Sequence, residues 1–250
     1  HTRSDRDWSS AVCSSDLVWI KSPEGRDRRA LLAAREQLVK MRTALTNTLR
    51  GLLRGRGLCM KAGSRRGLVG ELHELVSGDP ALGEIVSPLL ATLEVVEREV
   101  AGFDSRVVKR AKGDEVCRLL MTRMGVGPIT AFSFQAAVDD PHRFRRSRDV
   151  GAYFGVTPRR HQSGAVDYSG HISRMGDQAV RRALYMAAHT IMCGGPRDSL
   201  SAWALNLAKR RGAKRAKVAL ARRLAVILHR MWLDGTPYRA DHPATVRKAA

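Results

Sequence analysis

Cysteine, aromatic side chains, acidic side chains and long apolar runs are all scarce in this 250-residue chain, and each shortage argues against a class of protein. The four cysteines, Cys13, Cys59, Cys117 and Cys193, lie far apart with no CxxC pair. That spacing suits neither a disulfide framework nor a zinc site and points to reduced thiols in a cytoplasm. No stretch reaches the ~20 apolar residues of a membrane span, and no N-terminal signal peptide is visible. Acidic residues number only 24 against 44 Lys and Arg, a formal charge of +20. Such an imbalance opposes compaction and favours a polyanionic partner. A membrane surface is the competing polyanion, but the basic residues are spread through several segments, which favours nucleic acid. The length allows one or two modest domains with real cores.

What is present is mostly helical in period. Residues 1–17 are the exception: Ser-rich and without apolar periodicity, they look foreign, an assembly scar to be set aside in fold reasoning. From there, Ser22 and Pro23 form a helix start. Leu31, Leu38, Met41, Leu45, Leu49 and Leu52 then recur at spacings of three, four and seven. Leu82, Ile85, Leu89, Leu93, Val96, Val100, Phe103 and Val107 repeat the pattern over 81–111. Two such helices within 18–112 predict an antiparallel hairpin with coiled-coil character, closed by a loop from about Leu58 to Pro80.

The second domain, 113–239, opens on Leu120 to Ala131, LMTRMGVGPITA, the pattern of a helix-hairpin-helix. Gly125 and Gly127 permit positive φ and close approach, so amides at the next helix start can hold a phosphate. A plain tight turn gives the same pattern. Asp139 and Asp140 invite a metal reading, but no third ligand lies nearby and a capped turn before Pro141 accounts for them. Phe144 to Asp149 adds a basic stretch. Further helices are expected from the Asp177 cap to Cys193, ended by Gly194-Gly195-Pro196, from Ser199 to Arg211, and from Ala213 to Leu233. In the last, Val218, Ala221, Ala225, Leu228 and Trp232 form the expected buried stripe, and His229 reads as structural. Lys209, Arg210, Arg211, Lys214, Arg215, Lys217, Arg222 and Arg223 crowd its start and outer face. Like charges at helix spacing cost stability, so a phosphate partner explains them better than a solvated face. The fold class is therefore mainly α, and residues 240–250 form a frayed tail.

Between these helices lies Gly151 to Arg182, GAYFGVTPRRHQSGAVDYSGHISRMGDQAVRR. It sets Ser163 in a polar, turn-prone segment that leaves its hydroxyl accessible. Attack on a phosphodiester places negative charge on the non-bridging oxygens, which Arg159, Arg160, Arg174, Arg181 and Arg182 can meet with bidentate hydrogen bonds. A serine in a Gly-flanked turn is also a common turn former. His161 can serve as base, as a phosphate contact or as a surface residue.

The blocks Gly155-Val156-Thr157-Pro158-Arg159-Arg160, Gln162-Ser163-Gly164, Gly170-His171-Ile172-Ser173-Arg174-Met175-Gly176-Asp177 and Arg181-Arg182-Ala183-Leu184-Tyr185 together resemble the signature of the bridge-RNA-guided transposases of the 110/116/902 group of insertion sequences. Trp203 to Arg211, Lys214 to Ala219 and Leu224 to His229 resemble the C-terminal end of its 1111-type branch. The resemblance runs from Val18 to about Arg239, the second half of a full family member. It implies a recombinase in which a C-terminal serine, here Ser163, becomes joined to a DNA 5′-phosphate. An N-terminal domain similar to Holliday-junction resolvases would bring four acidic magnesium ligands. Asp5 and Asp7 have the wrong spacing for these, so the Mg2+ ligands are expected to be absent from this chain. Ser173 is the second candidate, read as a helix-start or phosphate contact. With Gly125, Gly127, Arg159, Arg160, Arg174, Arg181, Arg182, Lys214, Arg215 and Lys217 it forms the expected nucleic-acid surface. DNA and a guide RNA are the implied partners, and the coiled coil would pair subunits. The alternative is an RNA- or DNA-binding module that performs no chemistry.

Overall fold

A computed structural model of the chain describes residues 19–60, 68–163, 166–195 and 198–240. The Ser-rich start, the tail from 241, Pro196 and the Gly164-Ala165 pair after Ser163 lie outside them. The fold is mainly helical. The first helix, α1 (Pro23–Gly55), begins where the Ser22 hydroxyl accepts from the Gly25 amide and Pro23 fills a first-turn position that needs no donor. After a short α2 (Leu68–Val76), Asp79 caps α3 (Pro80–Gly113) by accepting from the Leu82 amide. Ion pairs Arg56–Asp79, Arg35–Asp104 and Arg28–Asp114 run in opposite order along α1 and α3, so the two are antiparallel.

The loop expected over 58–80 thus contains a helix. Leu68 and Leu72 of α2 bury against Leu49 and Leu53 of α1 and Leu82, Val86, Leu90 and Leu93 of α3. This extra contact turns the buried stripe of α3 in its first half: Val86 and Leu90 are inside, whereas the predicted Ile85 is 53% exposed. Met41 of α1 is likewise exposed and Leu53, not Leu52, is fully buried.

Asp114 ends α3 and caps α4 (Glu115–Met121), accepting from the Cys117 amide. A turn leads to α5 (Pro128–Val138), whose residues from Ala131 to Val138 are all buried. A single-turn 3-10 helix at Pro141–Arg143 follows, capped by Asp140, then α6 (Asp149–Tyr153). Two antiparallel strands, β1 (Pro158–Ser163) and β2 (Val166–Ile172), precede α7 (Gln178–Cys193), α8 (Ser199–Arg211) and α9 (Ala213–Asp234). Asp177 caps α7, and Asp198 caps α8 in a reciprocal box with Ser201. The last three helices stand where the sequence placed them.

One core unites α4 to α9 with the inner end of the long hairpin: Val107 and Ala111 are buried in it and Leu31 and Leu32 pack on it. The C-terminal unit is therefore seated on the hairpin across residue 112. In α9 the buried face is wider than expected, because α4, α6, α7 and α8 all pack on it. Leu220 and Leu224 are fully inside, whereas Val218 and Trp232 are half-buried. Cys59, Cys117 and Cys193 form no disulfide. The buried Cys117 thiol donates to Gln135, and burial pushes its pKa up to about 12, so it is no nucleophile. Among the described residues no helix is long and apolar enough to cross a membrane.

Candidate functional site

Ser163 is the last residue of β1, exposed at the end of a hairpin, rather than part of an irregular turn. Every residue of β1 is exposed, so that strand has no buried face of its own, and an isolated two-stranded hairpin is marginal in water. Its stability comes from its base. Beyond the strands, the Ser173 amide donates to Thr157 O and the Arg174 amide to Gly155 O, extending the ladder towards the core. Gly155 (φ 64°) and Gly176 (φ 73°) allow the two chains to interlock. A Cβ at Gly155 would stand 2.3 Å from Met175 O, and one at Gly176 would stand 2.0 Å from Tyr153 O. The buried Phe154 ring then anchors the base against Phe134, edge to face at 5.6 Å.

The five arginines expected around the serine are not alike. Arg181 donates through one nitrogen to Met175 O (2.7 Å), Phe154 O (3.0 Å) and Gly176 O (3.4 Å), fastening the hairpin base. Arg182 pairs with Glu36 of α1 at 3.2 Å. Arg159 sits at an irregularity in the ladder and donates to Ser173 O. Arg160 makes a two-point pair with Asp167, which is therefore not alone beside the serine. That hydrogen bonding raises the arginine pKa and holds the carboxyl below its usual range. Arg174 is exposed, has a left-handed backbone (φ 56°), and has no side-chain partner among the described residues. Ser173 is half-buried with its oxygen towards the Met175 amide; the helix start is at Asp177, four residues on.

Strand alternation puts Ser163 and His161 on one face and Arg160 and Gln162 on the other. No hydrogen bond joins Ser163 to His161; the imidazole instead stacks on Tyr168 with centroids 4.8 Å apart and planes at 16°. Sequence reasoning passed over this pair and the Arg160–Asp167 pair. Their signal was the alternation His161-x-Ser163 opposite Asp167-Tyr168, visible only once the segment is read as two strands.

Elsewhere, Gly125 (φ 90°) is pressed against α7: a Cβ there would meet Ile191 Cγ1 at 2.4 Å. Gly127 has open space where a Cβ would stand and begins α5 without a side-chain cap. Lys214 and Arg215 are exposed in the first turn of α9, which also lacks a side-chain cap, and Lys217 lies 5.9 Å over the Tyr185 ring. The hairpin, the α5 start and the α8–α9 junction are thus three separate features on three connections.

The carboxylates have other work. Burial opposes the charge on Asp139, but hydrogen bonds from the Ser22 amide and hydroxyl and the Trp19 indole outweigh it and hold the pKa below its usual value. Beside it, Lys21 donates to Ala136 O and Ala137 O, and burial, with Arg143 and Arg29 near, pushes its pKa down to about 8. Asp140 accepts from the His142 amide. Among the described residues no group of three His, Cys, Asp or Glu could hold a metal ion. A magnesium cage does not fit the residues described.

The profile of the transposase family IS116/IS110/IS902 matches residues 117–201, the stretch from α4 through the hairpin to the start of α8. The transposase for insertion sequence element IS1111A of Coxiella burnetii is 34% identical, over 95% of this chain and 68% of that protein. A probable family 20 transposase of Pseudomonas aeruginosa is 31% identical over 92% of this chain and 72% of that protein. Over 30% of this chain, a pilin gene-inverting protein of Moraxella bovis, matched along 24% of its own length, is 32% identical. The family match spans the interlocked hairpin as well as the helices around it, and the chain belongs to the IS116/IS110/IS902 family of transposases.

Proposed function

We propose that this chain carries the serine half of a DNA strand-cleaving and strand-joining site, guided to its target by a structured RNA. Ser163 Oγ attacks a DNA phosphorus, forming an Oγ–P bond while the bond from phosphorus to the 3′-oxygen breaks. The protein is left on the 5′-phosphate, and the proton lost by Oγ is matched by one gained by the departing 3′-oxygen. Charge developing on the non-bridging oxygens needs donors near Ser163, and Arg174, bonded back to Gly155 at the hairpin base, lies too far along the ladder to be one of them. The observation that carries this reading is an exposed serine at the end of a strand whose base is interlocked with the core. Preorganised geometry is what nucleophilic catalysis requires. The described residues provide no magnesium cage, so no step here is routed through a metal. The long hairpin would pair two subunits, and Gly127 at the start of α5 would take a backbone phosphate.

A second reading follows from the engaged carboxylates: a basic module that holds RNA and DNA without chemistry. One experiment separates the two. The purified protein, supplied with the acidic resolvase-like domain of a family member because this chain alone is expected to be inactive, is incubated with magnesium, RNA transcribed from the element and DNA bearing the element's ends, and denatured to trap covalent adducts. The expected result is an adduct whose peptide maps to Ser163 and which Ser163→Ala abolishes, with folding and RNA binding intact because an exposed hydroxyl contributes little to stability. Undiminished adduct in Ser163→Ala removes the serine from the role and puts Ser173 next. Tight binding with no adduct from the unaltered protein favours the module.

A further inference from the structure

Beside Ser163 the hairpin carries an exposed ring stack for which the chain itself has no use. Tyr168, in the middle of β2, is 56% exposed. Its partner His161, also exposed, faces it across the ladder in direct register, two residues along β1 from Ser163, which pairs with Val166. Two residues along a strand span about 6.6 Å, so the stack and the hydroxyl are close neighbours on one face.

The stack has a direction. A Cβ at Gly170 would stand 3.4 Å from His161 Nε2 and 3.5 Å from Cδ2, so the imidazole lies over the glycine. Gly170 is on the same face as Tyr168 and nearer the hairpin base. The imidazole therefore lies against the side of the tyrosine ring that looks to the base, and the ring itself stays more than half exposed. A flat aromatic surface more than half exposed suits the π-face of a nucleic-acid base. In a duplex both faces of each base are already stacked on neighbours. An unpaired base offers a free face.

We propose that Tyr168, backed by His161, is a stacking platform for one unpaired DNA base next to the phosphate that Ser163 attacks. The placement of that base rests on the serine reading above; the stacking itself does not. Tyr168 is a positioning residue: by seating the base it fixes the register of the strand on the hairpin, so that one phosphodiester rather than its neighbour meets the hydroxyl.

The test measures affinity for short single-stranded DNA, for the same strand made wholly of abasic nucleotides, for duplex DNA and for single-stranded RNA of the same sequence. All proteins carry Ser163→Ala, so chemistry does not intrude. Adding Tyr168→Ala should weaken binding of the single strand about 5- to 150-fold, the loss of one stacked base. Tyr168→Phe should retain it. The abasic strand and the duplex should bind Tyr168→Ala and its parent alike, which also shows that the variant is folded. Equal single-strand affinity with and without the ring, or an equal loss on the abasic strand, would overturn the platform. Dependence on Tyr168 for RNA but not DNA would overturn the assignment to DNA. In the Ser163 background, Tyr168→Ala should still form its adduct on Ser163 but spread it over neighbouring phosphates. A stacking effect with no adduct in any protein would sink the serine reading and leave the platform standing.

Discussion

His229 shows what a histidine does in this molecule when it is not at the site. It is fully buried on α9, with Nε2 at 2.9 Å from Pro141 O and Nδ1 at 3.0 Å from the Ser147 hydroxyl. A carbonyl can only accept, so the ring is the tautomer protonated at Nε2, and Ser147 donates to Nδ1. Desolvation holds the pKa below 6.5, against the pull of Pro141 O. With the folded value depressed, the unfolded chain binds the extra proton more readily, so the contribution of His229 is fully present above pH 6.5 and is lost as pH falls through the lower folded value. Denaturant midpoints measured from about pH 7.5 to about 4.5 should fall more steeply for the unaltered protein than for His229→Gln, by a difference that begins near the ordinary histidine pKa of about 6.5. Parallel curves would mean that the ring is not buried neutral. Arginine makes the same point in reverse. Arg181 looked from sequence like a phosphate ligand, and one nitrogen of its guanidinium donates to three carbonyls at the hairpin base. Charge at a motif position says that a strong donor is needed; only the fold says for which acceptor.

Elements were legible wherever burial imposed a period. The long hairpin and α7 to α9 follow from apolar spacing and from caps at Ser22 and Asp177, and their limits fall within a few residues of those expected. The buried stripe of α3 was misplaced by one residue in its first half because α2 covers it from another side, a tertiary contact that the period of one helix cannot encode. The β-hairpin was missed for a different reason. Its first strand, Pro-Arg-Arg-His-Gln-Ser, buries nothing, so the alternation that marks a strand has no apolar member. What holds it is glycine at two backbone crossings, and that predicts a clean outcome. Gly176→Ala puts a methyl group 2.0 Å from Tyr153 O at φ 73°, and Gly155→Ala puts one 2.3 Å from Met175 O at φ 64°. Left-handed backbone for a residue with a side chain and overpacking against backbone each cost about 1–3 kcal/mol. Each variant should therefore lose roughly 2–4 kcal/mol of local stability. Amide exchange should rise in 155–176 before it rises in α9. The Gly195→Ala control also has positive φ (79°) but open space around it, and should lose less. A loss as large at Gly195 would mean that φ alone, and not the interlock, sets the cost.

At the scale of the whole molecule, the excess of 20 positive charges is not evenly used. Many arginines of the core face are paired, as Arg28, Arg35 and Arg123 are with Asp114, Asp104 and Asp198. The α8–α9 junction is different. Lys209, Arg210 and Arg211 end α8, where positive charge suits the helix dipole, but Lys214, Arg215 and Lys217 open α9, where it does not. That helix start has neither an acidic first turn nor a side-chain cap. Folding alone would select against such a helix start, and an external anion bound there would offset its cost. The two effects can be read separately. Replacing Lys214, Arg215 and Lys217 by Gln should stabilise the free protein, by about 0.3–1 kcal/mol for each of the exposed Lys214 and Arg215. The same change should flatten the slope of log affinity for nucleic acid against log salt by about two to three units, roughly one for each phosphate no longer neutralised. Lys217, half-buried beside Tyr185, should account for the smallest share. A protein that becomes more stable and binds less steeply places the α9 start on the phosphate backbone; a gain in stability with an unchanged slope would turn this face away from nucleic acid.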